Sequence, residues 1–74
     1  MVHKICLSDT ESVNRLNKIA CDQLFDISIS DEFSIVDAKS LIALYPYVGK
    51  EVYIVVEDSI GEKTFKNLIK RMGF

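Results

Sequence analysis

One histidine, two cysteines and a scatter of carboxylates are the side chains in this 74-residue chain with the chemistry to ligate a metal or serve as nucleophile and base. His3 and Cys6 stand three apart and could share one ion. Two ligands fall short of the four that a closed structural zinc site uses, and no Cys-x-x-Cys spacing supplies the rest. Cys6 and Cys21 fall in segments of opposite pattern, so both are expected to be free thiols in a reducing compartment. Asp31-Glu32 and Glu57-Asp58 are neighbours in sequence, which is usual for solvated turns rather than for catalytic carboxylates facing each other across a cleft. Gly49, Gly61 and Gly73 each fall at an expected turn or helix end, so no glycine-rich phosphate loop is present. With no nucleophile placed beside a base, these residues point away from an enzyme, and no metal or cofactor is expected.

Composition narrows the partner class. The formal net charge is −2, and no Lys/Arg run interleaves with aromatic residues, so a nucleic-acid partner is not expected. Lys63, Lys66, Lys70 and Arg71 gather locally; on a helix they form a solvated face or a docking patch for an acidic partner. Hydrophobic residues make up 49% of the chain and charged residues 27%, rich enough for a core and too polar to span a membrane. Residues 1–74 are read as one small domain, and Met1 to Leu7 lacks the apolar run of a secretory signal, so a cytosolic protein is expected.

The elements that must position these residues follow from hydrophobic period. Ile5 and Leu7 alternate with Lys4 and Cys6, which predicts a strand over Val2 to Leu7. Val13, Leu16, Ile19, Ala20 and Leu24 recur at helical spacing and predict a helix over Thr10 to Gln23, capped by Thr10 or Ser12, with Asp9 and Glu11 favouring its positive end. Phe25, Ile27 and Ile29 alternate with Asp26, Ser28 and Ser30, and Phe33 to Val36 returns as a second strand across a two-residue turn, Asp31-Glu32. Asp37 to Tyr45 places Ala38, Leu41, Ile42 and Tyr45 on one helical face and stops before Pro46. Val52, Ile54 and Val56 define a further strand. Phe65, Leu68, Ile69 and Met72 define a last helix, capped by Asp58 or Ser59 and stopped by Gly73. The order βαββαβα, with one apolar face per strand and one stripe per helix, implies an α+β fold: a four-stranded antiparallel sheet with three helices on one face.

This order, and the sequence from about Phe25 to Glu57, resembles the HPr phosphocarrier family of the bacterial sugar phosphotransferase system. Phe25-Asp26-Ile27-Ser28-Ile29, the hairpin, Val36-Asp37-Ala38-Lys39-Ser40-Leu41-Ile42-Ala43-Leu44 and Gly49-Lys50-Glu51-Val52 look like the family's second and third strands, its Lys-Ser-Ile-Met-Gly motif and its Lys-Gly-x-x-Val entry to the fourth strand. The resemblance implies an open-faced β-sandwich. It also implies a histidine at the start of the first helix in a His-x-Arg-Pro motif, whereas the matching stretch here is Val13-Asn14-Arg15-Leu16. Valine has no nitrogen to phosphorylate, so Val13 occupies the phospho-histidine position without its chemistry, and Arg15 keeps only the place of the phosphate-binding arginine.

Ser40 falls on the serine that a dedicated kinase phosphorylates in many family members, with Lys39 beside it as a second anion contact. A phosphate there would meet free N–H groups at a helix start; the plainer role is a helix cap, with Asp37 a competing cap three residues earlier. A missing histidine with a kept serine is similar to the Crh-like regulatory branch of the family, which acts in carbon catabolite repression by binding a transcription factor. The function expected from the resemblance is a non-catalytic protein-binding module of phosphotransferase-system control. Its partner would be a phosphotransferase component, the serine kinase or a transcription regulator, and the alternative is a divergent phosphocarrier using His3 or a displaced acceptor. Leu41, Leu44, Tyr45 and Tyr47 are the candidate contact surface, with core burial the competing role for each and the two tyrosines expected to be the exposed pair.

Overall fold

Alternating side chains are sorted onto two faces of a sheet in the computed structural model, which describes residues 1–74. The order is β1 (Val2–Cys6), α1 (Thr10–Cys21), β2 (Ser28–Ser30), β3 (Ile35–Asp37), α2 (Leu41–Leu44), β4 (Glu51–Val55) and α3 (Glu62–Arg71), with 3-10 turns at Tyr45–Tyr47 and Asp58–Ile60. The sheet is antiparallel throughout and runs β1-β4-β2-β3. β4 is interior, which suits its β-branched Val52, Ile54 and Val55.

Paired residues share a face, so the register divides the sheet cleanly. The row His3, Ile54, Ile29, Val36 lies under the helices, as does the pair Ile5 and Val52. The rows Val2, Val55, Ser28, Asp37 and Lys4, Tyr53, Ser30, Ile35 lie on the opposite, open face. Val13, Leu16 and Ala20 of α1, Leu44 of α2, and Phe65, Leu68 and Ile69 of α3, with Met72 just beyond it, close over the covered face in one contiguous core. Full burial of a Leu or Ile side chain contributes about 1.5–3 kcal/mol, so this layer outweighs any surface contact. The four-stranded antiparallel, single-sided α+β fold expected from the sequence is the fold observed.

Several boundaries differ from the expectation, each for a local reason. Asp9, not Thr10 or Ser12, caps α1: its carboxylate accepts the Ser12 N–H at 2.8 Å, while Ser12 itself is buried. That charge-assisted bond, aided by the nearby Arg15, holds the Asp9 carboxyl below the usual carboxylate range. α1 ends at Cys21, before Leu24 can complete the apolar stripe, and Leu24 is fully exposed. The strands of the hairpin are shorter than predicted and its connection is four residues, Asp31 to Ser34. Asp31 Oδ1 accepts the N–H groups of Phe33 and Ser34, both at 2.8 Å, building with a side chain the turn that a glycine would otherwise allow, and these bonds lower its pKa. Phe33 is thereby left outside the strand and exposed.

α2 begins at Leu41 rather than Asp37, because the Asp37 carboxylate accepts the Lys39 N–H at 2.9 Å and closes a separate turn first. Pro46 lies inside the 3-10 turn that continues α2 instead of standing beyond the helix. α3 is capped by Gly61, without a side-chain bond; Asp58 instead pairs with the Met1 ammonium at 2.7 Å, which lowers its pKa. Gly73 does stop α3, at φ +86, with Gly73 N–H donating to the Lys70 carbonyl at 3.0 Å and Phe74 N–H to the Ile69 carbonyl at 3.1 Å. This is the paired closure that a left-handed residue permits at a helix C-terminus.

Candidate functional site

The junction of α1 and α2 brings together most of the residues singled out in the sequence. Asn17 Nδ2 donates to the Ala38 carbonyl at 3.1 Å, Cys21 Sγ lies 3.6 Å from the Lys39 carbonyl, and Tyr45 Oη donates to Asn14 Oδ1 at 3.3 Å. These contacts fix the Asp37–Ser40 turn and the start of α2 against one side of α1. Ser40 is the N-cap residue of α2, yet its hydroxyl makes no capping bond and the residue is exposed. The capping role is therefore not taken up, either by Ser40 or by Asp37, and the hydroxyl faces solvent. A helix of one turn carries only a small dipole, so an anion on Ser40 would be held by the free N–H groups of the first turn and by neighbouring cations.

The two candidate anion contacts are occupied elsewhere. Arg15 Nε donates to the Met72 carbonyl at 2.7 Å, and its guanidinium lies against Gly73, where an added Cβ would stand 2.9 Å from Nε. Lys39 Nζ donates to the Gln23 carbonyl at 3.0 Å, just past the end of α1. Each cation thus satisfies a carbonyl beyond a helix C-terminus, where positive charge is favourable. Through its bond to the Met72 carbonyl, Arg15 ties α1 to the end of α3.

Val13 is not at a helix start. It lies one turn inside α1 and is completely buried, and the residue at the start is Asp9. Val13, matched by resemblance to the family's histidine, thus stands four residues past the N-cap, where the side chain is the Asp9 carboxylate. His3 lies on β1, where its ring meets the edge of Phe65 with centroids 6.4 Å apart. His3 and Cys6 differ in parity along β1 and face opposite sides of the sheet, so they cannot share an ion. No group of three or more His, Cys, Asp or Glu residues is placed to hold a metal. Both cysteines are free and exposed.

The expected contact surface divides. Leu44 is fully buried and Leu41 packs against the core, so both are structural. Tyr47 is buried as well, its ring beneath Lys50 Nζ at 5.8 Å and its hydroxyl bonded to Ser34 Oγ, which corrects the expectation of an exposed tyrosine pair. Tyr45 remains 42% exposed, and Ile42, predicted to lie on the inner face, is 84% exposed. The late start of α2 rotates its faces relative to a helix begun at Asp37, which turns Ile42 outward and Leu44 inward. No helix is long and apolar enough to cross a membrane. No protein-family model matches the chain, and no curated protein matches it.

Proposed function

We propose that the chain is a non-catalytic HPr-like protein-binding module of phosphotransferase-system control, docking through the exposed side of α2 and switched by phosphorylation of Ser40. The observation that carries this reading is Ile42, an isoleucine held in solvent on a short helix, one turn from Tyr45 and two residues from an unpartnered serine hydroxyl. An exposed aliphatic beside an amphipathic aromatic offers apolar area that a partner can bury, with the tyrosine the type favoured at interface centres. A dianionic phosphate two residues away would change the charge of that surface without entering the core. The βαββαβα order and single-sided helix layer are those the resemblance implies, and they support the same reading.

The test is intact mass after incubation with the family's serine kinase and ATP, in parallel with Ser40→Ala. Gain of one phosphate by the parent chain alone is the expected result; no gain, or gain by both, overturns the switch. Labelled phosphoenolpyruvate with the general phosphotransferase enzyme should leave the chain unlabelled, whereas acid-labile label on His3 would make it a divergent carrier.

A further inference from the structure

A second surface, on the far side of the sheet order from β3, has its own geometry. β1 pairs only with β4, so one edge of β1 is free. Which backbone groups face that edge follows from the ladder. Val56 N–H donates to the Met1 carbonyl at 2.9 Å at one end, and Leu7 N–H donates to the Lys50 carbonyl at 3.0 Å at the other. Antiparallel pairs alternate between bonded and non-bonded, so Met1, His3, Ile5 and Leu7 direct their N–H and C=O groups toward β4. Val2, Lys4 and Cys6 direct theirs outward. No loop, turn or cap bond of the backbone takes up those outward groups.

Beside this edge, between β1 and α3, is an open cleft of about 430 Å³. Phe65 and Ile69 supply its apolar lining from α3, Met1 and His3 line it from the β1 side, and Glu62 and Lys66 complete the α3 side. An edge strand flanked by an apolar cleft and a helix is the arrangement by which sheets accept an extended peptide: main-chain bonds supply affinity and alternate side chains enter the cleft. The charges select the peptide. Lys63, Lys66 and Lys70 are exposed along one side of α3, and among them Lys66 alone is paired, with Glu62 at 3.1 Å. Lys4 is paired only with the solvent-exposed Glu51 at 3.5 Å, so self-pairing of two β1 edges about Lys4 would still set two lysines directly opposite each other, which is destabilising, whereas an acidic residue there is favourable.

We propose that the free edge of β1 and the β1–α3 cleft form a docking site for an extended, acidic segment of a partner protein, added as a fifth strand with an apolar side chain opposite His3 in the cleft. The site is independent of the α2 surface and of Ser40. It is tested by selecting from a random heptapeptide library on the immobilised full chain. Selection should enrich peptides that alternate apolar residues with Asp or Glu. A synthetic copy of an enriched peptide should slow amide exchange of Lys4 and Cys6 at least tenfold. Lys4→Pro removes an outward N–H and no main-chain bond to β4, together with the solvent-exposed Lys4–Glu51 ion pair at 3.5 Å, a change tolerated on an edge strand; it should weaken that peptide at least tenfold while the circular dichroism spectrum is kept. Lys66→Glu, which leaves β1 untouched, should weaken it severalfold and more so at low salt. No enrichment, enrichment without alternation, or binding unchanged in both variants would overturn the site. So would concentration-dependent protection of the same amides without peptide, which would make the edge a self-association surface.

Discussion

Replacing Gly73 with alanine tests whether Arg15 is a structural cation of the α1–α3 contact. Two costs follow from the geometry. At φ +86 a residue with a Cβ pays for left-handed backbone, about 1–2 kcal/mol. The new Cβ would also stand 2.9 Å from Arg15 Nε and 3.0 Å from Nη2, so the guanidinium must move and give up its 2.7 Å bond to the Met72 carbonyl. A half-exposed bond from a charged donor contributes about 1 kcal/mol, the low side of the range for such bonds. The sum is about 2–3 kcal/mol. For a chain of this length each kcal/mol lowers the melting temperature by roughly 4–8 °C, so Gly73→Ala should melt roughly 10–20 °C below the parent.

The decisive comparison is the double-mutant cycle. In an Arg15→Ala background the obstruction is gone and Gly73→Ala should cost only the backbone part, leaving a coupling of about 1 kcal/mol between the two sites. Urea unfolding followed by circular dichroism reads all four proteins, since the chain has no tryptophan. Equal cost in both backgrounds would refute the contact. A stable Arg15→Ala protein would likewise return Arg15 to the role of a free anion contact.

Asp9, Asp31 and Asp58 all have pKa values below the ordinary 3.8, so the unfolded chain binds their protons first as pH falls. Their contribution to stability is therefore complete above about pH 4 and lost on acidification through the lower folded values. Urea midpoints between pH 2 and 6 should show this, and Asp31→Asn, which keeps an acceptor oxygen, should flatten the slope; an unchanged slope counts against the turn. Leu44→Ala should cost about 2–5 kcal/mol and Ile42→Ala within about 0.5 kcal/mol, because the first opens a cavity and the second only trims a surface; similar losses in a denaturation series would contradict the orientation of α2. Tyr47→Phe should cost about 1 kcal/mol through the bond to Ser34, read in the same series. Cys6 and Cys21 should both react with a thiol reagent in the native protein, and a single equivalent would contradict their exposure.

What could be read from the sequence was whatever depends on period. Ile27 and Ile29, Val52, Ile54 and Val56, and the Phe65, Leu68, Ile69, Met72 stripe are buried as their spacing predicts, because alternation and the 3.6-residue repeat act over the same few residues that reveal them. Gly73 was legible for a similar reason. Three of the misplacements involve a polar side chain standing in for backbone. Asp9 outcompetes Thr10 as a cap, Asp31 closes a turn of four residues where two were expected, and Asp37 delays α2 until Leu41. A capping serine and a capping aspartate look alike in sequence, and only the surrounding turn decides between them. Tyr47 was misread because its partner, Ser34, lies 13 residues away in the β2–β3 connection.

The basic residues carry the largest lesson for function. Position alone suggested that Arg15 keeps the place of a phosphate-binding arginine whose histidine is missing, and that Lys39 would contact a phosphate on Ser40. A guanidinium or ammonium group is equally suited to any concentration of partial negative charge, and a helix C-terminus offers several unpaired carbonyls in one place. Arg15 finds them at Met72, 57 residues along the chain, and Lys39 at Gln23, 16 residues back. Neither partner is visible to a local alignment. In this fold the two cations fasten α3 to α1 and the α2 turn to α1, which is a stability role. What the core and those ties do not consume is the outward face of α2 around Ile42 and the unpaired edge of β1, the two surfaces proposed for recognition.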